Sequence, residues 1–239
     1  MRRHSHWPST WRRVSRARTA WSWWHATAGA LCQPRSAATV ADRVVAVAGS
    51  LRRGSYNRAL IEAARQLAPH GMTIDTIEIG GLPFYNADVE SEGDPSGVAT
   101  FKASLQDADG ILIATPEYND GIPGVLTNAV DWASRLPGRS PLTDKPVAIM
   151  GASPSQIGTA RAQLHLRQLL GHARARVLPP PELLVARAHE RFDAKLQLIH
   201  EGTRLVLTEL LERFARWIGK ERMAADAERL PRGTTGPPR

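Results

Sequence analysis

The chain has 239 residues, 42% of them apolar and 23% charged, and its 31 Lys and Arg against 23 Asp and Glu give a formal net charge of +8. This composition excludes a globally disordered chain, and the length suits one domain with appendages or at most two small ones. The basic balance invites a nucleic-acid or membrane-surface partner, but residues 1–41 carry +7 with no acid, residues 219–239 carry +2, and residues 42–218 carry −1.

Residues 1–41 hold seven arginines (Arg2, Arg3, Arg12, Arg13, Arg16, Arg18, Arg35), five of the seven tryptophans and the single cysteine, Cys32. Nothing here approaches the roughly 18 apolar residues of a membrane span. A secretory signal needs an unbroken apolar core, and the best candidate, Ala26 to Cys32, is interrupted by Thr27 and Gly29. The segment reads as a disordered extension, including one translated from a start codon upstream of the true one. A basic aromatic arm touching nucleic acid or membrane and a cleaved organelle address are the competing readings. One cysteine forms no internal disulfide, and the eight histidines show no metal-ligand spacing. No metal, no membrane span and no nucleic-acid partner for the core are expected, and a cytoplasmic location is.

From Arg43 onward, strands and helices alternate. Val44 to Ala48 is an unbroken β-branched and small apolar run, the pattern of a strand buried on both faces. Asn57 to Ala68 places Leu60, Ile61, Ala64 and Leu67 at helical spacing, and Pro69, His70 and Gly71 stop it. Thr73 to Ile79 reads as a second strand, followed by a Gly/Pro/Asp-rich loop from Gly80 to Pro95. Ser96 is placed as the N-cap of a helix reaching about Gln106. Gly110 to Thr115 is a third strand and Pro123 to Arg135 a helix with proline in its first turn. Pro146 to Gly151 is the fourth strand, Gly158 to Leu170 a helix, and Ala175 to Leu178 a short fifth strand before Pro179, Pro180 and Pro181. Asp193 to Ile218 carries a long amphipathic pattern, and the chain after Lys220 reads as a disordered tail. The expected class is therefore α/β: a doubly wound, five-stranded parallel sheet with helices on both faces, over residues 42–220.

In such a sheet ligands bind where strands end at their carboxyl sides. Gly49 to Asn57 follows the first strand and opens a helix. Its hydroxyls, its guanidinium and the orphan amides of the helix N-terminus suit a phosphate, although neither GxxxxGK[ST] nor GxGxxG is present. A polar turn in which Ser and Asn only cap is the alternative. Thr115 to Gly124, stiffened by two prolines, exposes an aromatic ring and backbone groups able to line a planar heterocycle. Its alternative is a rigid connection with no ligand. Gly151 to Gly158 is a third small, polar loop.

The segment Gly-Ser-Leu-Arg-x-Gly-Ser-x-Asn at residues 49–57 precedes Pro-Glu-Tyr-Asn at 116–119 and Ile-Pro-Gly-x-Leu-x-Asn-Ala-x-Asp-Trp at 122–132. In that order these motifs resemble the NADPH-dependent FMN reductase family, which includes flavodoxin-like quinone, chromate and azo-dye reductases. The resemblance covers about Arg43 to Lys220, with two departures at Thr127 and Thr159. It implies that Ser50, Arg52, Ser55 and Asn57 hold the FMN phosphate, helped by amides of Leu51, Gly54 and Tyr56. It places Pro116, Glu117, Tyr118 and Asn119 against the flavin ring and Ser153 at its other side. It also implies a ping-pong oxidoreductase using NADPH or NADH, with a quinone, chromate, azo dye or free flavin as acceptor, in a homodimer or homotetramer. The flavin carries the chemistry and no catalytic side chain is assigned. Glu117 is read as a loop-structure or flavin-edge residue, with a catalytic acid as the alternative, and Asp131, Trp132, Arg135, His165 and Arg167 as structural, capping or interface residues. A flavodoxin-type electron carrier without substrate turnover is the alternative, against which stand the near-neutral core and the Arg in the first loop.

Overall fold

The computed structural model describes residues 41–135 and 140–229. The expected extension up to Val40, with Cys32, and residues 230–239 lie outside them. The β-branched runs form parallel strands β1 (Asp42–Ala48), β2 (Met72–Ile77), β3 (Gly110–Ala114) and β4 (Pro146–Ala152) in the order β2-β1-β3-β4, with the fifth position beyond β4. That position is shared by two segments. β5 (Arg176–Val177) pairs with Pro146 and Val147, and β6 (Leu183–Val185) pairs with Met150 to Ala152. The three prolines expected to end the fifth strand instead interrupt it, since proline cannot donate to the ladder. The order 2-1-3-4-5 is the flavodoxin-like one.

Helices α1 (Tyr56–Gln66) and α6 (Glu201–Arg229) cover one face, and α3 (Ser96–Asp107), α4 (Gly124–Ser134) and α5 (Ala160–His172) the other. Alternation along each strand divides the core accordingly. Val44, Ala46, Leu112, Ala148 and Met150 face α1 and α6, while Val45, Val47, Ile111, Ile113, Val147 and Ile149 face α3 to α5. The first set includes several alanines, and bulky residues on α6 fill the space: Leu207, Leu211, Phe214 and Ile218, spaced four, three and four residues apart, are at most 1% exposed. A Cβ on Gly110, which opens β3, would lie 2.7 Å from the Phe214 ring and 2.8 Å from Ile218.

Several local expectations are corrected. The loop from Gly80 to Pro95 contains a short helix, α2 (Ala87–Ser91), N-capped by the side chain of Asn86. Ser96 is the first helical residue and Pro95 the N-cap position, with no side-chain cap. The last helix does not begin at Asp193. The Asp193 carboxylate accepts from the N–H groups of Lys195 and Gln197 and Leu196 is left-handed, so a turn occupies the segment that shares the apolar period. Nor does the helix stop near Lys220. It runs to Arg229, and Arg222 pairs with Asp42 at 2.7 Å and Asp109 at 3.1 Å, fastening this extension to the starts of β1 and β3. Lys145 donates to the carbonyls of Gln106 and Ala108 at the end of α3, and burial lowers its pKa.

Gly110→Ala is expected to destabilise the fold by about 1–3 kcal/mol through overpacking. Shortening the opposing ring with Phe214→Leu in the same chain should recover part of that loss. Urea unfolding of the two single variants and the double variant checks this, and strictly additive losses would contradict it.

Candidate functional site

The carboxyl ends of β1, β3 and β4 carry the three loops singled out in the sequence, and together they border one open cleft. Ser50, Arg52, Ser55, Tyr56 and Asn57 of the first loop line it, with Pro116, Glu117 and Tyr118 of the second and Ala152, Ser153 and Pro154 of the third. Leu51, Gly54 and Asn119 do not. Ala152 and Pro154 were not singled out from the sequence, since apolar loop residues carry no chemical signature.

The first loop is held by polar groups that turn inward. Ser55 is the N-cap of α1 and its Oγ accepts from the Arg58 N–H, while Ser50 Oγ accepts from the Arg52 N–H, each at 3.4 Å. The Tyr56 and Asn57 N–H groups lie in the first turn, where a helix offers no internal acceptor and its dipole favours an anion. Arg58 extends this arrangement. Its Nε donates to the Ser50 carbonyl at 3.2 Å and its Nη1 to Glu78 at 2.6 Å, a pairing that raises the Arg58 pKa. Sequence reasoning passed over Arg58 because it sits among helix residues, with its partner 20 positions away.

Asn57 does not reach into the cleft with a free amide. Its Nδ2 donates to the Ala152 carbonyl and its Oδ1 accepts from the Ala152 N–H, each at 2.9 Å, and the residue is 2% exposed. The side chain thereby braces the first loop against the end of β4, while the residue still lines the cleft. Gly151 sits in the same crowded place, where an added Cβ would meet Thr159 Oγ1 and the Thr115 carbonyl well inside contact distance.

The second loop is a tight reversal. Tyr118 and Gly121 exchange both backbone hydrogen bonds, at 3.1 and 2.9 Å, around Asn119 and Asp120 with φ of 49° and 60°. Two consecutive positive φ values are the signature of a type I′ turn, which Asn and Asp tolerate. Glu117 accepts from the N–H groups of Arg161 and Ala162 at 2.9 and 3.0 Å. Its carboxylate thus caps α5, whose own N-cap residue Thr159 makes no capping bond with its side chain. The Arg161 guanidinium also bonds Asp120. Tyr118 lines the cleft and is 47% exposed. In the third loop Ser153 is tied to the sheet edge, its N–H donating to Val185 O and its carbonyl accepting from Ala188 N–H.

The NAxDW residues act beside the cleft. Asn128 Nδ2 and Trp132 Nε1 both donate to the Pro83 carbonyl, at 2.9 and 2.8 Å, and Asn128 Oδ1 accepts from the Tyr85 N–H. Arg135 caps its own helix through the Asp131 carbonyl and lies 4.3 Å over the Tyr85 ring. Arg167 donates to Leu178 O. No group of three or more metal-ligating side chains occurs among the described residues.

This donor set fits an FMN phosphate. It offers helix N-terminal amides, two serine hydroxyls and the Arg52 guanidinium, while the one carboxylate lining the cleft is already taken up by α5.

Comparison with known proteins agrees with that chemistry. The family profile described as NADPH-dependent FMN reductase matches residues 43–190. An NAD(P)H-dependent FMN reductase of Pseudomonas aeruginosa is 43% identical over 180 residues, covering 75% of this chain and 97% of that one. A 2-hydroxy-1,4-benzoquinone reductase of Burkholderia is 42% identical over 184 residues, covering 77% and 100%. Among solved structures, the flavoenzyme NAD(P)H:(acceptor) oxidoreductase FerB of Paracoccus denitrificans superposes with a TM-score of 0.70 at 34% identity, covering 75% and 98%.

Asn57→Ala is expected to lower stability by about 2–3 kcal/mol, because it strands both backbone groups of Ala152 in a buried place. Denaturant unfolding reads this directly. A loss below about 0.5 kcal/mol would show that the brace is dispensable.

Proposed function

The chain belongs to the NADPH-dependent FMN reductase family, and from that premise we propose that it is an FMN-dependent NAD(P)H oxidoreductase that passes two electrons to a quinone. The observation that carries this reading is the convergence of three strand-end loops on one cleft whose free polar groups are donors. Bound FMN supplies the redox chemistry, taking two electrons from the nicotinamide and delivering them to the acceptor. The residues of the chain bind and orient. Ser50, Ser55, Arg52 and the first amides of α1 hold the phosphate. Pro116, Tyr118 and the backbone around them line the ring, with Ser153 opposite.

Two features limit what side chains add. Glu117 Oε2 is engaged by two amides of α5, which holds this side chain at the helix end. Tyr118, rigidly based on its two-residue turn, offers an aromatic face on which a planar quinone or nicotinamide can rest. Quinone reduction suits such a site, because a quinone needs a flat apolar surface and a nearby hydride source.

The proposal extends to domain organisation, assembly and location. The reductase domain is proposed to start at residue 42 and to include the extension of α6 that Arg222 fastens to the sheet, since the relatives reach across most of their own lengths while covering about three-quarters of this chain. The enzyme is proposed to work as a homo-oligomer in the cytoplasm, where reduced nicotinamide is supplied. Phe84 and Leu164, 86% and 58% exposed, give apolar surface for a second copy to cover.

Purified protein with FMN should oxidise NADPH or NADH when a quinone is added, followed at 340 nm. The absence of turnover with any benzoquinone or naphthoquinone would overturn the enzyme reading. Arg52→Ala should raise the FMN dissociation constant by about 10–100-fold, the range of a lost charge-assisted hydrogen bond, in a fluorescence titration. Removing residues 1–41 should leave kcat and KM within about twofold. A larger loss would make the arm part of the working enzyme.

A further inference from the structure

The first loop presents two adjacent guanidinium groups, and their places differ. Elsewhere among the described residues arginines commonly meet a carboxylate: Arg58 meets Glu78, Arg161 meets Asp120, and Arg222 meets Asp42 and Asp109. Arg52 and Arg53 have no carboxylate within 4.0 Å among the described residues. Arg52 lines the cleft. Arg53, one residue on, stands exposed in a turn outside that lining, and its neighbour Gly54 has nothing within 4 Å of where a Cβ would be. Glu78, which follows β2 and would repel a second anion near this loop, is neutralised by its contact with Arg58.

Inside the cleft, the helix amides, Ser55 and Arg52 already suit the resident phosphate. A solvent-borne guanidinium on a long flexible stem suits a different kind of anion, one that must arrive and leave in every turnover. In the proposed reaction that visitor is the nicotinamide dinucleotide. NADPH and NADH are identical except for a phosphate on the adenosine 2′-oxygen, and an arginine free of carboxylate partners is the group that accommodates that phosphate in dinucleotide sites. A free carboxylate would be needed to favour the 2′-hydroxyl of NADH instead, and Glu78 is not free.

We propose that Arg53 meets the 2′-phosphate of NADPH and sets the preference of this protein for NADPH over NADH. The inference rests on the flavin-reductase reading above, and Arg53 acts on the dinucleotide rather than on the flavin.

The test is Arg53→Gln in the full chain, with Arg53→Lys as the charge-preserving companion. Three readouts are taken: kcat/KM for NADPH and for NADH with a fixed quinone, the FMN dissociation constant, and calorimetric binding of adenosine 2′,5′-bisphosphate against 5′-AMP. The wild-type protein should prefer NADPH. Arg53→Gln should lose about threefold to fivefold in kcat/KM for NADPH, the upper range of one exposed ion pair. NADH turnover and FMN affinity should stay within about twofold. The bisphosphate should weaken by the same factor as NADPH while 5′-AMP does not, and Arg53→Lys should restore at least half of the preference. Equal losses for NADPH and NADH would overturn the proposal by assigning Arg53 to the shared pyrophosphate. A matching loss of FMN affinity would overturn it by assigning Arg53 to the flavin, and so would an unchanged NADPH constant or a wild-type preference for NADH. The bisphosphate titration requires no turnover. If wild-type protein fails to reduce quinones, the oxidoreductase reading falls while the Arg53 measurement still stands.

Discussion

Two hydrogen bonds between the Asn57 carboxamide and the backbone of Ala152 set the distance between the loop after β1 and the loop after β4. The bonds are buried and cross 95 residues of sequence. Because Asn57 lies in the first turn of α1, the brace also orients that helix, and with it the amides that point into the cleft. β3 lies between β1 and β4 in the sheet, so fixing the outer two loops leaves the middle one a defined gap to fill. The cleft is thus a consequence of sheet order plus one side-chain amide. Side chains of the loops then decide what fits it.

The polar groups around the cleft fall into those that are consumed and those left over. Consumed are Asn57 by Ala152, Glu117 by the amides of α5, Glu78 by Arg58, and Asp120 by Arg161. Each of these acids or amides, if free, would oppose an anion or attract water. Left over are the hydroxyls, the α1 amides, Arg52 and Arg53. Local net charge would not reveal this sorting, because the acids are present in the same loops and differ only in having partners. The +8 of the whole chain, much of it outside residues 42–218, has no part in it.

Most of the sheet was legible in the sequence, and for a single reason. Strands buried on both faces must be continuous apolar runs, so Val44 to Ala48, Gly110 to Thr115 and Pro146 to Gly151 announce themselves, each within two residues of the strand ends observed. The motifs of the first two loops, and the family they resemble, were equally plain. Features that depend on a distant partner were hidden. Glu117 as the cap of α5, Asn57 as a brace and Arg58 as a strut each need contacts at least 8 and as many as 95 positions away. The start of α6 was hidden differently: Leu196 and Ile199 fit the helical period, but the Asp193 carboxylate satisfies two backbone amides in a turn and takes that segment out of the helix. The split fifth strand escaped because three prolines read as a stop, when register with β4 resumes beyond them.

A site that braces, caps and neutralises its own polar groups leaves chemistry to whatever is bound within it. No lining residue supplies an uncommitted carboxylate, and Tyr118 contributes a face rather than a committed hydrogen bond. Acceptors are then sorted chiefly by whether they lie flat against the ring and accept a pair of electrons there. Such a constraint is geometric and permissive, since any planar molecule of suitable potential meets it. Selection on the donor side is a separate matter, because donors differ by a charged group far from the reacting carbon, where a single exposed guanidinium is enough to tell them apart. With Arg53 on the 2′-phosphate, as proposed, one fold would be indiscriminate toward the molecule it reduces and selective toward the one it oxidises, with the two properties resting on different residues of adjacent loops.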